Sequence, residues 1–159
     1  MNIMVTNIRQ AKPSDVVHLI ALNEIEYENT EHDEKFSAEV CERWVHTMML
    51  DPDAVMLVIC DDTDRPFGYL SGTIDFSSLS SHPTAVTHHW YVHNPKDRYG
   101  KGNFGLKLLN VFEGWARSKG AINTLVGIKQ TAFERRAYDL TFDKLGYKPN
   151  TMYYSKRIQ

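Results

Sequence analysis

Residues 98–105 read RYGKGNFG, three glycines within six positions together with the basic side chains Arg98 and Lys101. Before them, THHWYV (87–92) alternates like a strand. After them, LKLLNVFEGWARSKG (106–120) repeats like a helix. A strand that passes through glycines into a helix suits an anion. The first helix amides lack internal partners, the helix dipole favours negative charge, and glycines let the backbone approach closely. A plain flexible turn is the other reading of the local pattern. A Walker loop is excluded, because no Gly-Lys-Ser/Thr closes the stretch. The first turn of a dinucleotide fold is excluded too. The stretch comes after four strands, and no acidic residue stands at a strand end about twenty residues on.

The surrounding elements decide what this turn belongs to. IMVTNIRQ (3–10) reads as a first strand. Pro13, Ser14 and Asp15 open a helix over 13–27, with Val16, Leu19, Ile20 and Asn23 at helical spacing. Ser37 caps a second helix carrying Val40, Trp44, Val45 and Met48, and Asp51-Pro52 ends it. AVMLVIC (54–60) is a buried strand. DDTDRP turns the chain, and FGYLSGTIDF (67–76) returns as the second arm of a hairpin. TAVTHHWYV (84–92) is the fourth strand. A third helix spans 103–119, with Phe104, Leu108, Val111, Phe112 and Trp115 on one face and Gly120 as its stop. INTLVGI (122–128) is strand five, 131–145 is helix four, closed by Gly146 and Pro149, and TMYYSKRI (151–158) is a last strand. The order β-α-α-β-β-β-α-β-α-β predicts an α/β (α+β) fold. Its sheet is mixed and mainly antiparallel, with helices on both faces, in one domain over 1–159.

Composition narrows the function. The chain has 159 residues and a formal net charge of −2, so it carries no basic footprint for nucleic acid. No apolar run approaches the length of a membrane span. MNIMVTNIRQ lacks a basic region followed by a long apolar stretch, so no secretory signal is read there. Cys41 and Cys60 have no metal-ligand spacing and read as two buried thiols. The expected compartment is the cytoplasm.

VHNPKDRYGKGNFGLKLL (92–109) resembles the acetyl-CoA motif of the GNAT acetyltransferase superfamily, roughly V-x-P-x-x-R-G-x-G-x-G-x-x-L-L. The element order matches that domain along nearly the whole chain, and FDKLGYKP (142–149) resembles the family's Y-x-K-x-G-F. FEGWARSKGA (112–121) brings the chain nearest to small bacterial and phage-borne members. The resemblance implies acetyl-CoA as co-substrate, with no metal. It implies that the pantetheine arm lies along Trp90, Tyr91 and Val92. The pyrophosphate would sit on the amides of Gly100, Lys101, Gly102, Asn103, Phe104 and Gly105, with charge from Arg98 and Lys101. Two registers fit. Aligned on Leu108-Leu109, Gly105 takes the last glycine of the motif; aligned on Pro95, Arg98 takes the leading arginine and one residue is extra. Paired domains are common in the family, so a homodimer is among the arrangements implied.

Acetyl transfer to an amine needs a proton acceptor, donors for the thioester oxygen, and an acid or a favourable field for the thiolate. In amine-directed members a strand-four histidine or glutamate serves as base or relay, which makes His88 the first candidate and His89 the second. Strand alternation puts His88, Trp90 and Val92 on one face and His89 and Tyr91 on the other, unless a bulge shifts the phase. His88, His89 and His93 do not converge as metal ligands. Phe142 stands where the family's acidic tyrosine would be, and Arg135 where a helix-four asparagine is frequent. Thiolate protonation then falls to Tyr138, one turn earlier on the same face, to water, or to no dedicated group. EIEYENTEHDE (24–34) carries six carboxylates and no Lys or Arg. It reads as a solvated loop or as a field that attracts a cationic amine. The missing tyrosine and asparagine also allow a regulatory module that keeps the fold and binds CoA or a protein partner. A protein that uses the loop for another diphosphate is a third reading.

Overall fold

The computed structural model describes residues 7–30, 34–76, 80–93, 103–127 and 135–149. The chain divides into two units, Met1–Gly127 and Ile128–Gln159. The first holds a five-stranded sheet in the order β1-β2-β3-β4-β5. The strands are β1 (Asn7–Gln10), β2 (Ala54–Cys60), β3 (Pro66–Asp75), β4 (Thr84–Val92) and β5 (Asn123–Leu125). The first four run antiparallel in sequence, and β5 is parallel to β4. Three helices complete the unit: α1 (Val16–Glu28), α2 (Ala38–Leu50) and α3 (Phe104–Ser118). The second unit holds α4 (Arg135–Lys144). Among the described residues, no helix is long and apolar enough to cross a membrane.

Period-two burial assigns the two faces of the sheet. Met56, Val58 and Cys60 of β2 share one core with Val16, Leu19 and Leu22 of α1 and Cys41, Val45 and Met48 of α2. Alternation leaves the buried Val55, Leu57 and Ile59 for the opposite face, where α3 packs. There the Phe104 ring meets Phe67 edge-on at 5.3 Å. Leu19 and Val45 are fully buried, which stabilises by about 1.5–3 kcal/mol per side chain of this kind. The expected helices on both faces are therefore present.

Local chemistry explains the helix ends. The Ser37 hydroxyl accepts from the Val40 amide at 3.4 Å, and α2 stops at Asp51, before Pro52. A single 3-10 turn, Pro13–Asp15, leads into α1. Asp15 is buried, and its carboxylate accepts from Arg9 Nη1 at 2.6 Å and from the Lys12 amide at 2.8 Å. Burial opposes that charge, but the Arg9 and Lys12 hydrogen bonds outweigh it and hold the carboxyl below its ordinary value. Arg9 Nε also donates to Asp64 at 2.9 Å, so one guanidinium ties the start of α1 to the β2–β3 turn.

Three helical faces differ from the sequence reading. In α2 the inward series is Cys41, Val45 and Met48, and Val40 points out. In α3 it is Phe104, Leu108, Leu109, Phe112 and Ala116, and Val111 is exposed. In α1 Leu22 joins Val16, Leu19 and Asn23. The shifts are small, because the docking angle on the sheet fixes the stripe more finely than hydrophobicity does. The β5 ladder is also shorter than 122–128, and the strand 151–158 lies outside the described residues. Both cysteines are buried free thiols, each pushed up to about 11 by burial.

Candidate functional site

Strand β4 has two unlike edges. Along one it pairs with β3 over its whole length, from Thr84 opposite Asp75 to Val92 opposite Gly68. Along the other it pairs with β5 only from Thr84 to Val86. The Gly127 amide then donates to Thr87 Oγ1 at 3.1 Å. Beyond that point no strand covers this edge of β4 among the described residues. Trp90, Tyr91 and Val92 lie on this stretch, and a strand edge that its neighbouring strand leaves is a template for an extended amide chain.

The same strand carries a β-bulge. His89 stands opposite Ser71 and Thr87 opposite Gly72, so His88 is the extra residue. The His89 amide donates to Ser71 Oγ at 3.2 Å, which satisfies a group that the regular ladder would have used. Gly72 makes room for the bulge. The Phe112 ring of α3 lies so close that a Cβ on Gly72 would sit 2.4 Å from it and 2.6 Å from the Val86 carbonyl oxygen.

The bulge changes which residues share a face. Trp90 faces α3, where its Nε1 donates to the Gly105 carbonyl at 3.1 Å. His89 and Tyr91 face α1 and α2, as alternation predicts. His88, expected beside Trp90, instead joins the His89 side. Its Nε2 lies 2.8 Å from the hydroxyl of Thr73, a residue in step with Tyr69 and Ser71 on β3. His88 is exposed, yet burial of its ring and then the charge of His89 hold its imidazole below the ordinary value.

Around His89 a polar network crosses from sheet to helix. Its ring meets Trp44 of α2 at 4.9 Å in an edge arrangement and lies 6.4 Å from the Tyr69 ring. Its Nδ1 is 3.5 Å from Glu26 Oε2 of α1. The Tyr69 hydroxyl, fully buried on β3, reaches both Glu26 Oε2 and Asn23 Oδ1, the latter at 2.8 Å. Asn23 is itself fixed, because its amide donates to the Leu19 carbonyl at 2.8 Å. Burial, and then the Glu26 charge, push the Tyr69 phenol up, so it remains a donor at every physiological pH. The sequence reading counts Glu26 only as one of six carboxylates and does not single out Tyr69. The signal available was the i, i+3 pair Asn23 and Glu26 on α1.

No side chain among the described residues caps the start of α3. Asn103, its N-cap, has φ +45° in the left-handed region and makes no side-chain cap. The first hydrogen bond of the helix runs from the Lys107 amide to the Asn103 carbonyl at 3.0 Å. The amides of Phe104, Gly105 and Leu106 therefore precede the helical ladder. Lys107 sits over the Phe104 ring at 5.3 Å and adds positive charge to this end. Gly105 is needed by its neighbour, since a Cβ there would sit 3.1 Å from the Trp90 ring. Arg98, Gly100, Lys101 and Gly102 lie outside the described residues. Tyr138 falls on α4 by its backbone, and Phe142 is buried against Tyr147, their rings 5.1 Å apart and edge-on.

No protein-family model matches the sequence, and no curated protein matches it. Solved structures do. Aminoglycoside N-acetyltransferase AAC(6')-Iy in complex with CoA superposes with a TM-score of 0.73 at 14% identity, covering 98% of this chain and 97% of that one. The fold is that of the GNAT acetyltransferases. Glucosamine-6-phosphate N-acetyltransferase from Arabidopsis thaliana shares it at TM-score 0.70 and 16% identity, over 98% and 99% of the two chains. So does a GNAT family acetyltransferase from Staphylococcus aureus, at TM-score 0.69 and 12% identity, over 96% and 98%. In this GNAT fold the β4 stretch beyond β5, the bulge and the start of α3 fall within one sheet-to-helix junction.

Proposed function

We propose that this chain is an N-acetyltransferase that moves an acetyl group from acetyl-CoA to a primary amine by direct attack in a ternary complex. One observation carries the reading: β5 leaves β4 after Val86, and β4 leads toward the start of α3, whose N-cap Asn103 makes no side-chain cap, within a GNAT fold. Backbone groups of Trp90, Tyr91 and Val92 would pair with the amides of the pantetheine arm. The pyrophosphate would rest on the amides around Gly100–Gly105, where the α3 dipole and Lys107 favour negative charge. Arg98 and Lys101 would add to that field. The AAC(6')-Iy complex supports CoA as the ligand.

The acceptor side is the α1–α2 face. Glu24, Glu28 and Glu34 are exposed there, and Glu26 turns inward beside Trp44 and His89. Carboxylates next to aromatic rings favour a cation, so the acceptor is a small, positively charged amine. The similarity to aminoglycoside acetyltransferases supports that class. The β4 imidazoles, His88 and His89, are the candidates to take the amine's proton. Tyr138 is the side-chain candidate for protonating the thiolate, because Phe142 has no proton to give.

A panel of polyamines, aminoglycosides and lysine peptides tests the reading. Thiol release from acetyl-CoA should exceed the amine-free rate with at least one of them. CoA binding without turnover across the panel would instead favour the regulatory module.

A further inference from the structure

We propose that Glu26 acts on the reaction through His89. Its carboxylate holds the imidazole in the Nδ1–H tautomer, which leaves Nε2 as the proton acceptor on the acceptor face of the sheet. This rests on the acetyltransferase reading, but the tautomer itself can be measured without turnover.

The argument begins with an unpaired atom. His89 Nδ1 is buried and makes no hydrogen bond among the described residues. A buried polar atom without a partner is costly, so its isolation calls for an explanation. A carboxylate oxygen, Glu26 Oε2, lies 3.5 Å away. That is longer than a formed hydrogen bond, and a small ring rotation would close it. Bonds of this kind are often long before substrate binds.

The facing of the lone pairs gives the same answer. The Tyr69 hydroxyl has one hydrogen and lies near two acceptors, Asn23 Oδ1 and Glu26 Oε2. A hydrogen on His89 Nδ1 would point at Glu26 Oε2, the same oxygen that accepts from the Tyr69 phenol. With Nδ1 bare, its lone pair would face a carboxylate oxygen.

Exposure then identifies the free nitrogen. The His89 side chain is 32% exposed although Nδ1 is covered, so the accessible part is the distal edge that carries Nε2. His88 is arranged differently, with its Nε2 already held by Thr73 at 2.8 Å. The groups facing His89 are Glu26 from α1, Tyr69 from β3, and His88 and Tyr91 on β4, while α2 offers the uncharged Trp44 ring. Glu26 is the only carboxylate described against the imidazole.

The step balances. The amine nitrogen forms a bond to the thioester carbon, and one N–H proton passes to His89 Nε2. The carbon–sulfur bond breaks, and its electron pair leaves on the CoA sulfur. A carboxylate behind Nδ1 stabilises the imidazolium that forms, as in other carboxylate–imidazole pairs. Glu26 touches no reacting atom, so it is a positioning residue.

Long-range proton–nitrogen correlation spectra of the intact, nitrogen-15-labelled protein read the tautomer directly. The neutral His89 ring should be Nδ1–H in the wild type and should shift toward Nε2–H in Glu26→Gln, whose amide can donate to Nδ1. His88→Ala should leave the tautomer as it is. An Nε2–H ring in the wild type, or no change in Glu26→Gln, overturns the proposal. With the best amine of the panel, Glu26→Gln should lower kcat about 100-fold with CoA affinity unchanged. Equal kcat in Glu26→Gln and wild type would also overturn it. Absence of CoA binding in the wild type would instead defeat the acetyltransferase reading and leave the tautomer result standing.

Discussion

Gly72→Ala lowers the melting temperature by roughly 6–12 °C, the equivalent of about 3 kcal/mol for a chain of this size. The added methyl would lie 2.4 Å from the Phe112 ring and 2.6 Å from the Val86 carbonyl. An aromatic ring can tilt away, but a backbone carbonyl inside a ladder moves only with its strand. That strand is β4, and the point of pressure lies two residues from His88. Gly114→Ala is the matched control. Gly114 is exposed within α3, and nothing lies within 4 Å of its would-be Cβ. Alanine there should stabilise by about 0.5–1 kcal/mol, because glycine is the weaker helix former. Thermal melts of the two variants decide the matter. A Gly72→Ala protein as stable as the wild type would mean that Phe112 does not seat against the bulge.

Replacing both β4 imidazoles, His88→Ala with His89→Ala, lowers kcat by about 10²- to 10⁴-fold, the usual span for losing a general base. CoA affinity should hold, because the pantetheine contacts run through the β4 backbone and the pyrophosphate through amides. The paired variant covers both positions that the bulge brings onto one face. Steady-state kinetics with the best amine, combined with CoA titration, separate the two quantities. An unchanged kcat would place the proton acceptor elsewhere and leave the histidines a packing role against Trp44 and Tyr69. A loss of CoA affinity in step with kcat would mean that the substitutions disturb the strand itself.

Local pattern carried much of this fold. AVMLVIC and TAVTHHWYV become β2 and β4 with the bounds that their composition suggested, because polar, turn-forming residues bound both runs in the sequence. Ser37 and Asp51-Pro52 frame α2 for equally local reasons. The junction of β4 with α3 was legible from glycines and amphipathic repeats. The facing of His88 was not. Alternation is a local rule, and the bulge that breaks it depends on Gly72 accepting the Phe112 ring, 40 residues apart in sequence. A glycine within a strand was the available hint. The role of Glu26 was hidden in the same way. Six carboxylates in one segment look alike until the fold turns one of them toward a buried tyrosine.

Calorimetric titration of CoA into the intact protein tests the central claim most directly, with ATP in parallel. The β4 edge and the start of α3 should give saturable CoA binding with a Kd on the order of 10 μM, about −7 kcal/mol. ATP should bind much more weakly, because it has no pantetheine arm to lie along β4. No CoA binding at about 500 μM, or equal affinity for ATP, would contradict the account.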